Sequence, residues 1–200
     1  MSSSLKSLSL SEGLEFIGYE AFSSGLLEEV TVPTTVKTIE ASAFKKQKLK
    51  KLDLSKCTNL VSVGRYAFGN NNLESIILPK NQQITLNGAF NNNSVKEEDA
   101  YIYKHTANGI DYSEIVSSAG NLKDITIPSE KKGDRLKKVS AYSFDSVGLV
   151  NVTIPASVEE IGSRAFFGNQ LVNVIIPDSV IKIDAQSFRL NAPLKKNNII

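Results

Sequence analysis

Few side chains in this chain are suited to covalent or metal chemistry. Cys57 is the only cysteine and His105 the only histidine among 200 residues. A thiol nucleophile needs a base beside it, and a zinc site needs several closely spaced His or Cys ligands. Neither set is present, and no glycine-rich phosphate loop or serine elbow appears. Glu97-Glu98-Asp99 is a run of carboxylates best read as solvated. These absences point away from an enzyme, and no cofactor or metal is expected. What remains is recognition chemistry. Tyr101, Tyr103, His105 and Tyr112 fall close together around Asn108-Gly109, the strongest short-range hairpin signal. A two-residue turn there pairs His105 with Tyr112, Tyr103 with Glu114 and Tyr101 with Val116. The three tyrosines and the histidine then share one hairpin face. Such a face either packs on its scaffold or contacts a partner, since tyrosine suits both buried and binding surfaces.

The elements that carry these residues are set by a repeat. A small residue followed by phenylalanine recurs at Ala21-Phe22, Ala43-Phe44, Ala67-Phe68, Ala89-Phe90, Ser143-Phe144, Ala165-Phe166 and Ser187-Phe188. Successive spacings are 22, 24, 22, 54, 22 and 22 residues. A fixed period in this range is the signature of a solenoid. Five residues before the Phe stand Ile17, Ile39, Val63, Val139, Ile161 and Ile183, with Thr85 breaking rank. Further upstream lies an apolar triplet, L-x-x-I-x-I, as in Leu27-Val30-Val32 and Leu149-Val152-Ile154. Its alternation predicts a short strand, which proline ends at Pro33, Pro79, Pro128, Pro155 and Pro177. One coil cannot bury its apolar side alone, so about seven coils must stack, Phe on Phe and Ile on Ile.

Residues 149–166, LVNVTIPASVEEIGSRAF, and 171–188 carry the pattern L-x-x-V-x-I-P-x-S-V-x-x-I-G-x-x-A-F almost position for position. In these motifs the chain resembles the BspA-like leucine-rich repeat family of bacteria. The expected fold is mainly β. It is a right-handed leucine-rich-repeat solenoid of about seven 22-residue coils, with short parallel strands and a β-hairpin insertion, in one domain over residues 1–200. The resemblance implies a cell-surface or secreted protein-binding module, of adhesin type, with an unidentified host or microbial surface protein as partner. A passive spacer and an intracellular scaffold are the alternatives. Cys57 takes the cysteine position of L-x-x-L-x-L-x-x-C and is expected inside as a structural thiol.

Composition is ordinary for a folded protein, with 41% hydrophobic and 22% charged residues. Basic and acidic side chains number 23 and 21, for a net charge of +2, which offers no excess for nucleic acid. No run reaches the roughly 18 apolar residues needed to span a bilayer. Residues 1–6 lack the layout of a signal peptide, so either the protein stays inside the cell or the chain is a piece of a longer one. Within the 54-residue gap, residues 95–121 form an insertion whose removal is expected to leave the coil phase intact. The corner from Ser129 to Arg135 is also long. If one region recognises a partner, the expectation is this insertion, through Tyr101, Tyr103, His105 and Tyr112, with that corner beside it. On the strand face, Lys6, Glu28, Lys50 and Glu74 are expected to line up as a column of alternating charge. Leu194 and residues 195–200 read as the start of a frayed eighth coil.

Overall fold

In L-x-x-I-x-I the alternating apolar residues point to one face, so the segment extends, and its apolar side turns inward. The computed structural model describes residues 4–80, 82–96 and 99–194. It places six three-residue strands on this segment: β1 (Ser7–Ser9), β3 (Glu29–Thr31), β5 (Lys51–Asp53), β7 (Ser75–Ile77), β10 (Asp124–Thr126) and β14 (Asn151–Thr153). They pair in parallel as β1–β3, β5–β7 and β10–β14, with Leu8 opposite Val30, Leu52 opposite Ile76 and Ile125 opposite Val152. The charge column is only partly formed. Lys6 Nζ lies 3.1 Å from Glu28 Oε1. Among the described residues, neither Glu28–Lys50 nor Lys50–Glu74 makes an ion pair. The physical reason is that β3 and β5 do not ladder, and a groove lined by Glu28, Thr31, Lys50 and Asp53 opens between them. Lys50 and Glu74 stand on laddered rungs, where exposed charges gain little by closing on each other.

The isoleucine before each Phe builds a second sheet. Its two-residue strands are β2 (Phe16–Ile17), β4 (Thr38–Ile39), β6 (Ser62–Val63), β13 (Lys138–Val139), β15 (Glu160–Ile161) and β16 (Lys182–Ile183). Ile17, Ile39 and Val63 stand in register, as do Val139, Ile161 and Ile183. The glycine of I-G-x-x-A-F is required by close approach. A Cβ on Gly162 would lie 2.5 Å from the Ala141 nitrogen of the preceding coil.

The landmark rings form two stacks and not one. Phe22, Phe44, Phe68 and Phe90 lie 5.1, 5.2 and 6.0 Å apart between centroids, and Phe144, Phe166 and Phe188 lie 5.3 and 5.2 Å apart. The insertion interrupts the series because its own coil has no phenylalanine. Ser118 takes the position: its N–H donates to Ser143 O at 2.9 Å, as Phe44 N donates to Ala67 O. Tyr101 meets Phe144 edge-on at 6.1 Å instead. The core divides at the same place, into a cluster centred on the first stack and another on the second. Phe22 and Phe188, at the outer ends, are only half-buried.

A ladder of buried amides runs beside the rings. Three residues after the Phe, Asn71, Asn93, Asn169 and Asn191 each donate to the carbonyl of their own Phe and that of the preceding coil. Each Oδ1 accepts the N–H of the preceding coil's Leu. Gln47 plays this part in its coil, bonding Phe22 O and Leu27 N. These contacts satisfy backbone groups that the tight corner would leave buried and unpaired.

Residues 101–118 form the expected hairpin, β8 (Tyr101–Thr106) and β9 (Gly109–Ser118). Its register differs from the expectation. Thr106 pairs with Gly109, His105 with Ile110, Tyr103 with Ile115 and Tyr101 with Ser118, with irregularities on either side of Tyr103. The cause is local. Thr106 Oγ1 accepts the Asn108 N–H at 3.2 Å and donates to Gly109 O at 3.0 Å, which anchors the turn at this pair. The insertion is also not separable from the coils. β9 pairs in parallel with β13, Ile115 opposite Val139, and both Ile115 and Ala119 are fully buried. Removing residues 95–121 would take out a rung. The long corner forms a small antiparallel ribbon of β11 (Glu130–Lys131) and β12 (Asp134–Arg135), which packs on β9. Residues 97 and 98 of the charge run and 195–200 of the tail lie outside the described residues.

Candidate functional site

The hairpin does not lie flat on the coil before it. Ile84 bridges His105, which brings β8 alongside the fourth coil, and a groove of about 390 Å³ is left between the hairpin and β7. Tyr101, Tyr103, His105 and Tyr112 all line it. The structure therefore brings the four residues together, although not through the pairing read from the turn.

Their exposure differs. Tyr103 and His105 retain 7% and 6% of their accessible surface and form the inner wall. Tyr101 and Tyr112 are half-buried at the mouth. Tyr103 and Tyr112 meet edge to face at 5.1 Å, and burial together with Tyr112 pushes the Tyr103 phenol up to about 12. Tyr101 Oη donates to Thr126 O at 3.3 Å. In other coils the corresponding carbonyl takes a backbone N–H from the preceding strand, as Thr153 O does from Ile127 at 3.0 Å. Tyr101 thus completes the edge of β10 where a regular rung is missing. Lys132, at the tip of the corner ribbon, sits 5.3 Å above the Tyr112 ring, so the long corner and the hairpin meet at this tyrosine.

His105 Nδ1 lies 3.1 Å from Pro79 O. A carbonyl only accepts, so Nδ1 carries the hydrogen and Nε2 keeps a lone pair. Burial holds the imidazole below its ordinary 6.5, against the opposing pull of the Pro79 carbonyl. The hairpin is pinned on its far side by Glu114, which bonds the Ser140 hydroxyl and lies 3.1 Å from Lys104 Nζ and 3.2 Å from Lys138 Nζ. Burial alone would raise the Glu114 carboxyl, but Ser140 and the two lysines hold it below the usual carboxylate range. Nothing in the sequence points to these partners, because Glu114 and Lys138 become neighbours only through the β9–β13 pairing.

Further groove residues escaped the sequence reading. Ile77 and Ile110 expose 49% and 41% of their surface there, and Glu74, Lys80 and Asp99 complete the rim. Ile77 had a signal of sorts, an isoleucine in an outward column otherwise dominated by Ser, Thr and Asp. Cys57 is buried, its Sγ 3.7 Å from Val32 O and Pro33 O, and desolvation raises its thiol, so it is an unreactive core group. Among the described residues no group of His, Cys, Asp and Glu is arranged to hold a metal, and no helix is long and apolar enough to cross a membrane.

A family model described as BspA type leucine rich repeat region matches in six copies, over residues 1–106 and 112–200. The pneumococcal vaccine antigen PcpA superposes with a TM-score of 0.57 at 23% identity, covering 96% of this chain and 50% of that one. A leucine-rich repeat protein of Eubacterium ventriosum gives 0.53 at 22%, covering 96% and 59%. A leucine rich cell surface protein of Faecalibacterium prausnitzii gives 0.51 at 20%, covering 96% and 52%. The chain thus spans about half the length of these solved structures, and the likeness is one of fold. A search of curated proteins returns no match.

Proposed function

This chain belongs to the BspA-type leucine-rich repeat family, and from that premise we propose that it is a non-catalytic protein-binding module of a surface or secreted bacterial protein, adhesin-like in use. Its binding surface is the groove between β7 and the hairpin. The observation that carries this reading is contrast. Other coils also expose large apolar side chains, such as Phe16, Val61 and Ile175, and what sets this region apart is their combination with aromatic and charged groups in a recess. Here two exposed isoleucines, two half-buried tyrosines and three rim charges meet in one recess. Recognition residues concentrate on loops held by a rigid scaffold, and binding surfaces favour aromatic anchors. One of the solved structures with this fold is described as a leucine rich cell surface protein, which agrees with a surface location.

Because β9 is part of the stack, deletion of the hairpin is a poor test. Point variants serve better. The intact chain is used to capture partners from host-cell and bacterial surface extracts, side by side with Ile77→Asp and Ile110→Asp. Both substitutions replace exposed side chains and leave the melting temperature near that of the wild type. Capture that is lost in both variants supports the groove; capture that both retain in full moves the binding surface elsewhere.

A further inference from the structure

The groove's charged lining is weighted toward acceptors, two carboxylates against one ammonium, while Ser75 and the tyrosine hydroxyls can both donate and accept. Glu74 stands just before β7 and Asp99 just before β8, and among the described residues neither forms an ion pair. His105 Nε2 adds a lone pair, since Nδ1 is committed to Pro79 O. No hydrogen-bond partner for Nε2 occurs among the described residues. This nitrogen keeps some accessible surface, on a side chain that lines the groove. The tyrosine rings add negative π-faces, and Lys132 already occupies one of these over Tyr112. Lys80 is the single cation among the described lining residues, three residues past the end of β7 and so at the opposite end of that strand from Glu74. Ile77 and Ile110 supply apolar walls.

We infer that the groove receives a lysine or arginine side chain, presented by an extended partner segment with apolar residues on either side of it. This rests on the reading of the groove as the protein-binding surface and names the chemistry it selects. An ammonium or guanidinium brings only donors, which is what Glu74 and Asp99 require, whereas His105 stands at the other end of the groove, beside Pro79. Its aliphatic stem lies along the isoleucines while its head sits among acceptors and ring faces. An acidic side chain beside Glu74 and Asp99 would meet two carboxylates, with Lys80 at the opposite end of β7, an arrangement that rejects it there.

The test uses the full chain with its isoleucine methyl groups isotopically labelled, titrated with three acetylated and amidated pentapeptides, Ser-Ile-Arg-Ile-Ser, Ser-Ile-Met-Ile-Ser and Ser-Ile-Glu-Ile-Ser. The arginine peptide is expected to shift the Ile77 and Ile110 signals saturably. The methionine and glutamate peptides bind about tenfold or more weakly, the scale of one charge-complementary contact. Glu74→Lys combined with Asp99→Lys, both surface changes, reverses the order of the arginine and glutamate peptides. Equal affinity for the three peptides, or no saturable shift with arginine, overturns the inference. If Ile77→Asp and Ile110→Asp abolish partner capture while the charge-reversed variant captures normally, the groove binds protein but not by a cation. In that case this inference fails and the broader reading stands.

Discussion

Asn169→Ala tests the part of the architecture that repeats most strictly. The Asn169 side chain is buried at 4% exposure. Its Nδ2 donates to Phe144 O at 2.8 Å and Phe166 O at 2.9 Å. Its Oδ1 accepts from the N–H groups of Val147, Gly148 and Leu149 at 3.1, 3.0 and 3.1 Å. Truncation leaves six backbone groups without that partner, the half-buried Phe167 O at 3.4 Å among them. Gly148 is half-exposed, so water can reach its N–H, whereas Val147, Leu149, Phe144 and Phe166 are buried. If two or three groups stay dry at roughly 1–1.5 kcal/mol each, the loss is about 2–4.5 kcal/mol. That is a large share of the roughly 5–15 kcal/mol of a folded domain, and it lowers the melting temperature by about 4–18 °C for a chain of this size. Asn169→Gln should cost less, because Gln47 already fills the same role in another coil. The assay is urea unfolding followed by circular dichroism, with amide exchange at Val147 and Leu149 as the local readout. Away from the insertion each regular rung touches only its neighbours, so faster exchange should concentrate at this corner. A midpoint equal to that of the wild type, with unchanged exchange at Leu149, would refute the ladder as a source of stability.

Phe166→Ala, which empties a fully buried site between two stacked rings, should cost about 3–5 kcal/mol, whereas Phe22→Ala at the half-buried end of its stack should cost less; equal costs in thermal melts would contradict the burial gradient. Arg65→Ala should cost about 3–5 kcal/mol by leaving Asp145, which is fully buried and lies 2.5 Å from the guanidinium, without its counter-charge. Adding Asp145→Asn should restore part of the loss, and a double variant no more stable than Arg65→Ala would count against that cause. The urea midpoint should also fall as the pH is lowered from about 7.5 through about 6.5. Unfolded His105 takes up a proton near 6.5, while folded His105 does so only at lower pH, so the unfolded state binds more protons and gains. The decline levels off below the folded value. It is the only histidine in the chain, so His105→Gln should flatten this segment of the curve, and an unchanged slope would show that another group is responsible.

The period, the inward residues and the register of the regular coils were all legible in the chain. The landmarks recur at a nearly constant interval, so the pairing needs no further information: Val139 falls opposite Ile161 because each stands five residues before its own Phe. Stacking can bury these positions only in phase, and local order therefore dictates the fold. The amide ladder was half-legible, as an asparagine three residues after Phe in four coils, though its role needs the corner geometry. The insertion was legible only as a hairpin. Its turn is fixed by the Thr106 hydroxyl, and its second strand joined β13 to become a rung without a phenylalanine. Tyr66 reaches across it to Asp145 O at 2.7 Å, a contact between residues 79 apart that no periodic pattern announces. Likewise the groove depends on where β8 settles beside Ile84 and how far the hairpin stands from β7. A repeat encodes its own neighbours one period away. An element that departs from the repeat finds its neighbours only in three dimensions, and that is where the candidate site lies.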